Sequence, residues 1–443
     1  MLPTRFLVCS KKIKSLYISN FYKLTIKKRY VNTEYVDITK NNNVIVGGKN
    51  LRNLLETHVG AQKYWLEHKE DLKQINYIKT KCQNELVKRS LTDSVQEVIL
   101  PIGTNADERE TYLNYFGAIR FGKLLEDLDT IAVWVGYKYY KGPTERPPFA
   151  LVTASVDKIN LKGNLVQPKE DLKLKGFVSW AGKTSLEVTI YIYQYKKELD
   201  IWKHLAEAVF VMAARSMDDG TSALINPFEA NTEEEKKYFN KGLLNKELRK
   251  IKSESSLLKI SPTADEKDSA HKLFLKTISS SKSTFVSRVK PDNAVWMHDT
   301  TLKNLIICHP QSRNWYNKIF GGFLMRVAYE LAWANTSVFI KTIPNLITVD
   351  NIAFQKPVEV GSLLYLTSQI VMTKGVYLQV RVHAEVVDPK SGYTDTTNVF
   401  HFHFTSNEPF PEVIPSTYAE YMLYLDGLRH FPANLKHDSS LSK

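Results

Sequence analysis

The chain has 443 residues, 43% hydrophobic and 24% charged, with a formal net charge of +13. That length suits two or three domains with ample material for cores, and no apolar run approaches the ~20 residues of a membrane-spanning helix. Three scattered cysteines (Cys9, Cys82, Cys308) make neither a disulfide framework nor a metal-ligand cluster, which fits a reducing compartment.

The charge is concentrated at the start. Residues 1–33 hold eight basic residues (Arg5, Lys11, Lys12, Lys14, Lys23, Lys27, Lys28, Arg29) and no acid; the first carboxylate is Glu34. Phe6, Leu7, Ile13, Leu16 and Phe21 lie between them. A basic, amphipathic, acid-free segment predicts a mitochondrial transit peptide, with cleavage near Arg29-Tyr30 and a matrix destination. The competing reading is a basic arm for nucleic acid. Setting the segment aside leaves 52 basic against 47 acidic residues, a net +5, and that argues against nucleic acid as partner.

Residues 34–95 are polar and helix-leaning, interrupted by Asn41-Asn42-Asn43 and Gly47-Gly48. The Leu- and Lys-rich stretch from Leu51 to Leu86 predicts one or two helices packed on a first unit, 96–230. That unit begins its regular pattern with a helix from about Phe121 to Val135, then a Pro-containing loop (Gly142-Pro143, Arg146-Pro147-Pro148). Val156-Asp157-Lys-Ile159 is expected to open a strand. From Thr184 to Ile192, Leu186, Val188, Ile190 and Ile192 alternate with Ser185, Glu187, Thr189 and Tyr191, a half-buried strand with its second face for solvent or a partner sheet. The apolar run from Ala208 to Ala214 suits a buried closing strand.

Residues 231–290 start charged (Glu233-Glu-Glu-Lys-Lys) and end Ser-rich (Ser279-Ser-Ser-Lys-Ser283), which predicts a linker with a surface helix. A second unit, 291–406, then repeats the order of the first. Its helix runs from about Phe320 to Ile340, and Val349-Asp350-Asn-Ile352 restates Val156-Asp157-Lys-Ile159 at an offset of 193. Leu363–Val371 is a strand, and so is the alternation of Leu378, Val380, Val382 and Ala384 with Gln379, Arg381 and His383. A last strand has Phe400, Phe402 and Phe404 on one face and His401 and His403 on the other. The tail, 407–443, carries a short Tyr-rich helical piece and is expected to fray after about Pro432. The fold class is α+β: two units, each a long apolar helix wrapped by its own antiparallel sheet.

The clearest repeat is at the helix starts. Asn114-Tyr-Phe-Gly-Ala-Ile-Arg-Phe-Gly122 and Asn314-Trp-Tyr-Asn-Lys-Ile-Phe-Gly-Gly322 each run from Asn to Gly in eight residues. A helix N-terminus offers unpaired N–H groups and partial positive charge, and glycine lets a ligand approach the backbone. Gly122, Gly321 and Gly322 therefore suit an oxygen that becomes negative during reaction. Asn114 and Asn314 can orient water or a carbonyl, or simply cap a loop. Asp129, seven residues after Gly122, is an acid on an otherwise apolar helix and costly to bury unless paired or used. The alternative is a solvated stripe, Glu126-Asp127-Asp129. The second copy has Tyr329 at that position and Glu330 one residue on, about 100° round the helix.

At these residues the chain resembles the hotdog-fold acyl-coenzyme A thioesterases, whose signature is Asn, six residues, Gly-Gly, six residues, then Asp or Glu. Asn314 with Gly321-Gly322 matches its beginning, Asn114 with Asp129 its ends, and Pro357-Val-Glu-Val-Gly361 resembles the strand after the family's helix. The similarity covers roughly residues 95–405. It implies a tandem hotdog with sites between the units, the Asn loop from one and the acid from the other. One site would join catalytic Asp129, Asn314 and Gly322 with substrate-binding Gly321; a second, degenerate one would join Asn114 and Gly122 with Glu330. The implied reaction is hydrolysis of acyl-CoA, with Asp129 as general base or nucleophile and no cofactor. Pairs of units could also join as homo-oligomers, trimers among them.

Rival chemistry is weak. There is no Gly-x-Ser-x-Gly elbow, so a serine esterase is not expected. Ala181-Gly-Lys-Thr184 lacks the leading glycine of a phosphate loop, Phe177 standing there, and reads as a turn. His401 and His403 have no third ligand nearby in the sequence, so no metal site is expected. A non-catalytic acyl-CoA binder and a dehydratase acting on acyl thioesters are the alternatives for the same fold.

Overall fold

The computed structural model describes residues 44–59, 82–142, 147–157, 159–161, 166–217, 219–278, 288–314, 317–350 and 352–431. The expected leader, 1–33, lies outside them, as do the tail beyond Phe431 and most of the stretch between Leu51 and Leu86.

In chain order the first half gives β1 (Val44–Val46), α1 (Gly48–Val59), β2 (Gln96–Leu100), α2 (Ala106–Tyr112) and the central helix α3 (Phe121–Tyr139). Next come β3 (Phe149–Val156), β4 (Ile159–Asn160), β5 (Leu172–Ala181), β6 (Ser185–Lys196), β7 (Ile201–Ser216), α4 (Glu233–Glu254) and α5 (Ala264–Leu275). The second half gives β8 (Ala294–Trp296), β9 (Leu302–Ile307), the central helix α6 (Gly321–Ile340), β10 (Asn345–Val349) and β11 (Ile352–Ala353). It ends with β12 (Leu363–Lys374), β13 (Tyr377–Val387), β14 (Thr394–Thr405), β15 (Glu412–Ile414) and α7 (Tyr418–His430).

Seven strands form one mainly antiparallel sheet, in the order β1-β2-β5-β6-β7-β3-β11. Six form the other, β4-β10-β14-β13-β12-β9. Each wraps one central helix, the hotdog arrangement, and the class is α+β as expected. Helix α3 is apolar nearly all round, with Leu124, Leu128, Ile131 and Val135 fully buried, which is why the sheet encloses it. Leu186, Val188, Ile190 and Ile192 face it from β6, and Phe400, Phe402 and Phe404 of β14 are likewise buried.

The repeated Val-Asp-x-Ile does something other than expected. It ends one strand and begins another in the opposite sheet. β3 stops at Val156, and Ile159 pairs with Val349 of β10. β10 stops at Val349, and Ile352 pairs with Val156 of β3. Each unit thus lends a two-residue strand to the other's edge, which ties the sheets together and covers one end of β3 and of β10.

The two sheets also have covered outer faces, where solvent or a partner sheet was expected. Glu187 and Thr189, on the outer face of β6, are 1% and 2% exposed. Helix α4 lies over them: Arg249 pairs with Glu187 at 3.0 Å, the Tyr238 and Tyr191 hydroxyls meet at 2.9 Å, and Gly242 sits against Trp180. Helix α7 plays the same part on the second sheet, with Gly427 against Gln379 and Val371. It buries His401 and His403 to 3% and 1% and sets Asp426 and His430 beside His401, so the histidine face is not solvated. Residues 231–290 are therefore more than a linker and 407–431 more than a tail. Each supplies the outer helix of the unit before it, and β15 also pairs with β8. At the other end, β1 adds a parallel strand to β2, and α1 buries Leu51 and Leu55.

Candidate active site

The two Asn loops fold alike. Asn114 N–H donates to Ala118 O at 2.8 Å and Asn314 N–H to Lys318 O at 2.6 Å. The turn between requires a left-handed residue, Gly117 (φ 77) in one copy and Asn317 (φ 54) in the other, the two residue types that adopt it most readily. The Asn side chains brace these turns. Asn114 Oδ1 accepts from Phe116 and Ala118 N–H, both at 3.0 Å, and Asn314 Oδ1 from Lys318 N–H at 3.1 Å. Both are loop residues first, with Oδ1 committed to the turn.

The loops deliver α3 and α6 to one another across a pseudo-two-fold axis. Gly322 lies where a Cβ would stand 2.9 Å from Glu126 Cα and 3.1 Å from Asp129 Cβ. Gly122 faces Arg326 and Tyr329 as closely. Glycine here is what lets the helices touch.

Asp129 is brought to Gly322 as the resemblance implied. It is fully buried, Oδ2 accepting from Gly322 N–H at 2.6 Å and Oδ1 from the Thr153 hydroxyl at 2.6 Å. Burial raises its pKa to about 7 against the lowering effect of those two donors. Its neighbours in the supposed acidic stripe are not solvated either. Asp127 accepts from Tyr112 Oη at 2.5 Å and Lys123 Nζ at 2.9 Å; Glu126 accepts from Arg326 Nε at 3.0 Å and Arg52 Nη2 at 3.2 Å.

This arrangement changes one expected role. The Gly322 N–H is directed at the acid and is therefore not offered to an oxyanion. Two clefts meet here, of about 440 and 330 Å3. Val152, Thr153, Asn314 and Gly321 line both. The larger carries Arg52, Arg313 and Arg326. The smaller has Ile319, Leu324, Phe354 and Val358 in its walls and Arg215, Lys318 and Lys356 about them. Asp129 stands one layer behind Thr153 and Gly321.

Thr153 is the residue the sequence reading missed. The offset of 193 that aligns the Val-Asp-x-Ile segments puts Leu346 opposite it, and a hydroxyl facing an aliphatic side chain between two copies was the available signal.

The second half-site lacks these parts. Tyr329, opposite Asp129 in the repeat, packs on Phe121, Phe402 and Phe404 at ring distances of 5.6, 5.7 and 6.2 Å. Leu346 replaces the hydroxyl. Glu330 does not replace the acid: its carboxylate accepts from Arg120 Nη2 at 2.8 Å on a 40% exposed side chain. The one-residue shift turns it outward from Gly122, whose close neighbours across the axis are Arg326 and Tyr329.

No family model matches the chain. It is 45% identical over 397 residues to the mitochondrial acyl-coenzyme A thioesterase 9 of Mus musculus, covering 88% of this chain and 90% of that protein. The same protein of Homo sapiens gives equal figures. The mitochondrial acyl-coenzyme A thioesterase 4 of Humulus lupulus is 33% identical over 332 residues, 73% of this chain and 62% of that one. A solved acyl-ACP thioesterase from Bacteroides thetaiotaomicron aligns over 71% of this chain and 98% of its own, at 10% identity and a TM-score of 0.41; the fold assignment rests on the strands above and not on that likeness. With an acid, a helix N-terminus and an Asn loop assembled across the axis, and 45% identity along nearly the whole length of such relatives, the chain belongs to the acyl-coenzyme A thioesterases, hydrolases of thioester bonds.

Proposed function

We propose that the protein hydrolyses acyl-coenzyme A to the free acid and coenzyme A at the half-site around Asp129. The observation that carries this is a buried carboxylate with its pKa raised to about 7, held at 2.6 Å by the first turn of the opposite helix and linked through Thr153 to both clefts. The thioester carbonyl lies at the junction of the clefts, its oxygen toward the Gly321 N–H and Asn314 Nδ2. Water attacks the carbonyl carbon as it gives its proton to the Thr153 hydroxyl, which passes its own proton to Asp129, and the tetrahedral intermediate expels the thiolate, which recovers that proton. A buried acid behind Thr153 favours the base over direct attack, since neither oxygen reaches a cleft wall.

The arginines of the larger cleft suit the phosphates of the coenzyme, and the apolar walls of the smaller one suit the acyl chain. The test is thiol release from acyl-CoAs of increasing length, with Asp129→Asn beside the wild type. Release from a subset that vanishes in the variant supports the reading. Binding without release leaves an acyl-CoA binder, and loss of water from a hydroxyacyl-CoA leaves a dehydratase.

The basic, acid-free leader and the mitochondrial names of the relatives support residence in mitochondria, in the matrix. Assembly of the double units into a homo-oligomer, a trimer for instance, belongs to the same proposal; its support is the open strand β9, where Leu305 and Ile307 are exposed.

A further inference from the structure

Glu126 stands where the two halves of the chain meet the N-terminal helix. The offset of 200 that aligns Gly122 with Gly322 also sets Glu126 opposite Arg326 in the repeat. These positions face each other on the pseudo-two-fold axis, Arg326 Nε donating to Glu126 Oε1 at 3.0 Å. Identical residues at an axis position would bring like charges together; opposite signs make the contact an ion pair. The other carboxylate oxygen, Oε2, accepts from Arg52 Nη2 of α1 at 3.2 Å. One carboxylate, its side chain 11% exposed, thus holds two guanidiniums, one from α1 and one from the second unit.

The hold on each guanidinium uses only part of its five donors. Arg326 gives Glu126 its Nε, and its Nη1 is 4.0 Å from Glu330, which Arg120 already holds at 2.8 Å. The Phe323 ring lies 5.3 Å from the Arg326 guanidinium carbon and supports its face. Arg52 commits Nη2, and its helix is anchored by the buried Leu51 and Leu55 and by Gly48 N–H donating to Glu108 Oε1 at 3.2 Å. Lys123 Nζ, 3.6 Å from Glu126, is taken by Asp127 at 2.9 Å. Glu126 therefore gathers two guanidiniums with one negative charge. The excess positive charge stands in the wall of the larger cleft, where Arg52, Glu126, Phe323 and Arg326 all lie.

We infer that Glu126 is a positioning residue: it draws Arg52 and Arg326 from two parts of the chain into one anion-binding pair for the phosphate-bearing end of acyl-coenzyme A. A carboxylate repels a phosphate, so Glu126 acts only through the arginines it orients. The inference rests on the proposed use of the larger cleft by the coenzyme, and it makes α1 part of the site. It also gives the pair one side: the other copy has Arg326 in place of Glu126, so no carboxylate stands there to gather arginines.

The test compares two thioesters of one acyl group that the wild type hydrolyses: the acyl-CoA, and the acyl-pantetheine, which lacks the nucleotide and its phosphates. Glu126→Gln keeps the size of the side chain and removes its charge. Arg52→Ala removes one of the gathered guanidiniums; its side chain is 42% exposed, so this variant keeps the fold if Glu126→Gln does not. At pH 8 each should raise KM for the acyl-CoA ~10-fold, the weight of a hydrogen bond to a charged group, with kcat within ~twofold. Neither should change kcat/KM for the acyl-pantetheine. The double variant should lose less than the product of the two single losses, because both remove the same contact. A wild type that releases no thiol from any acyl-CoA overturns the hydrolase reading beneath the inference. A wild type that hydrolyses acyl-CoA, with variants that lose both substrates equally or neither, overturns the inference alone.

Discussion

At Asp129 two requirements conflict. The acid must be ionised to take a proton, yet full burial holds it near pH 7. A carboxyl raised from 3.8 to about 7 makes the folded state prefer the protonated form. Its ionisation therefore costs nothing below the unfolded pKa and costs progressively more above it. By pH 7 and beyond the cost reaches about 4 kcal/mol, at 1.36 kcal/mol per unit. Asparagine removes that cost and keeps both hydrogen bonds, because its oxygen accepts from Gly322 N–H and the Thr153 hydroxyl turns to accept. Asp129→Asn should thus lose ~10²–10⁴-fold in kcat while unfolding at higher temperature than the wild type at pH 8. The gain should disappear by about pH 4, below which both carry a neutral side chain. Near-normal turnover would remove Asp129 from the reaction. In the wild type, kcat should fall with decreasing pH through an apparent pKa of about 7, and a flat profile from pH 5 to 8 would count against a titrating base there. The sequence made Asp129, Asn314 and the glycines visible because repetition marks them. Thr153 stayed hidden because its partner in the repeat is Leu346, and a missing match draws no notice.

For elements, the central helices and inner strand faces were legible and the outer helices were not, for one physical reason. A helix enclosed by a sheet must be apolar nearly all round, and period-two strands announce a buried face. Helix α4 instead covers a sheet face built from polar residues, so its own contact side reads as charged surface. Its hold is ionic as well as apolar: Arg249 reaches Glu187 at 3.0 Å and Asp157 at 2.7 Å, and the Glu187 side chain is 1% exposed. Arg249→Ala leaves that carboxylate buried without its cation, a change that costs ~3–5 kcal/mol. Lys236→Ala, which breaks the exposed pair with Glu233 on the same helix, should cost no more than ~0.5 kcal/mol. Urea unfolding followed by circular dichroism compares the two. Equal stabilities would mean that α4 rests on the sheet without depending on this contact. The Val-Asp-x-Ile segments misled in another way. Their composition is that of strands, but only the partner sheet, 193 residues away in sequence, determines that each one crosses over.

Over the whole molecule, the two units carry corresponding parts, and the acid and the hydroxyl occur together in one half-site only among the described residues. Around Asp129 there are an acid, a hydroxyl, an Asn loop and two glycines, drawn from both halves. Across the axis the corresponding acid and hydroxyl are Tyr329 and Leu346, and Phe121 takes the place of the first glycine. The aromatic cluster of Phe121, Tyr329, Phe402 and Phe404 fills that half-site with packed rings, which stabilise the helix pair. Glu330 then serves as one end of an exposed ion pair with Arg120, and such pairs contribute little. It follows that Glu330→Gln should leave kcat/KM within ~twofold of the wild type, in contrast to Asp129→Asn. A non-hydrolysable acyl-CoA analogue should bind with a stoichiometry of one per chain by calorimetry. Two equivalent sites per chain, or a large loss in Glu330→Gln, would mean that the second half-site opens and uses Glu330 as its acid. A single site fits the geometry better, because replacing Tyr329 by a carboxylate would restore the acid without the hydroxyl that holds it, and Phe121 would still stand where the other copy has Gly321.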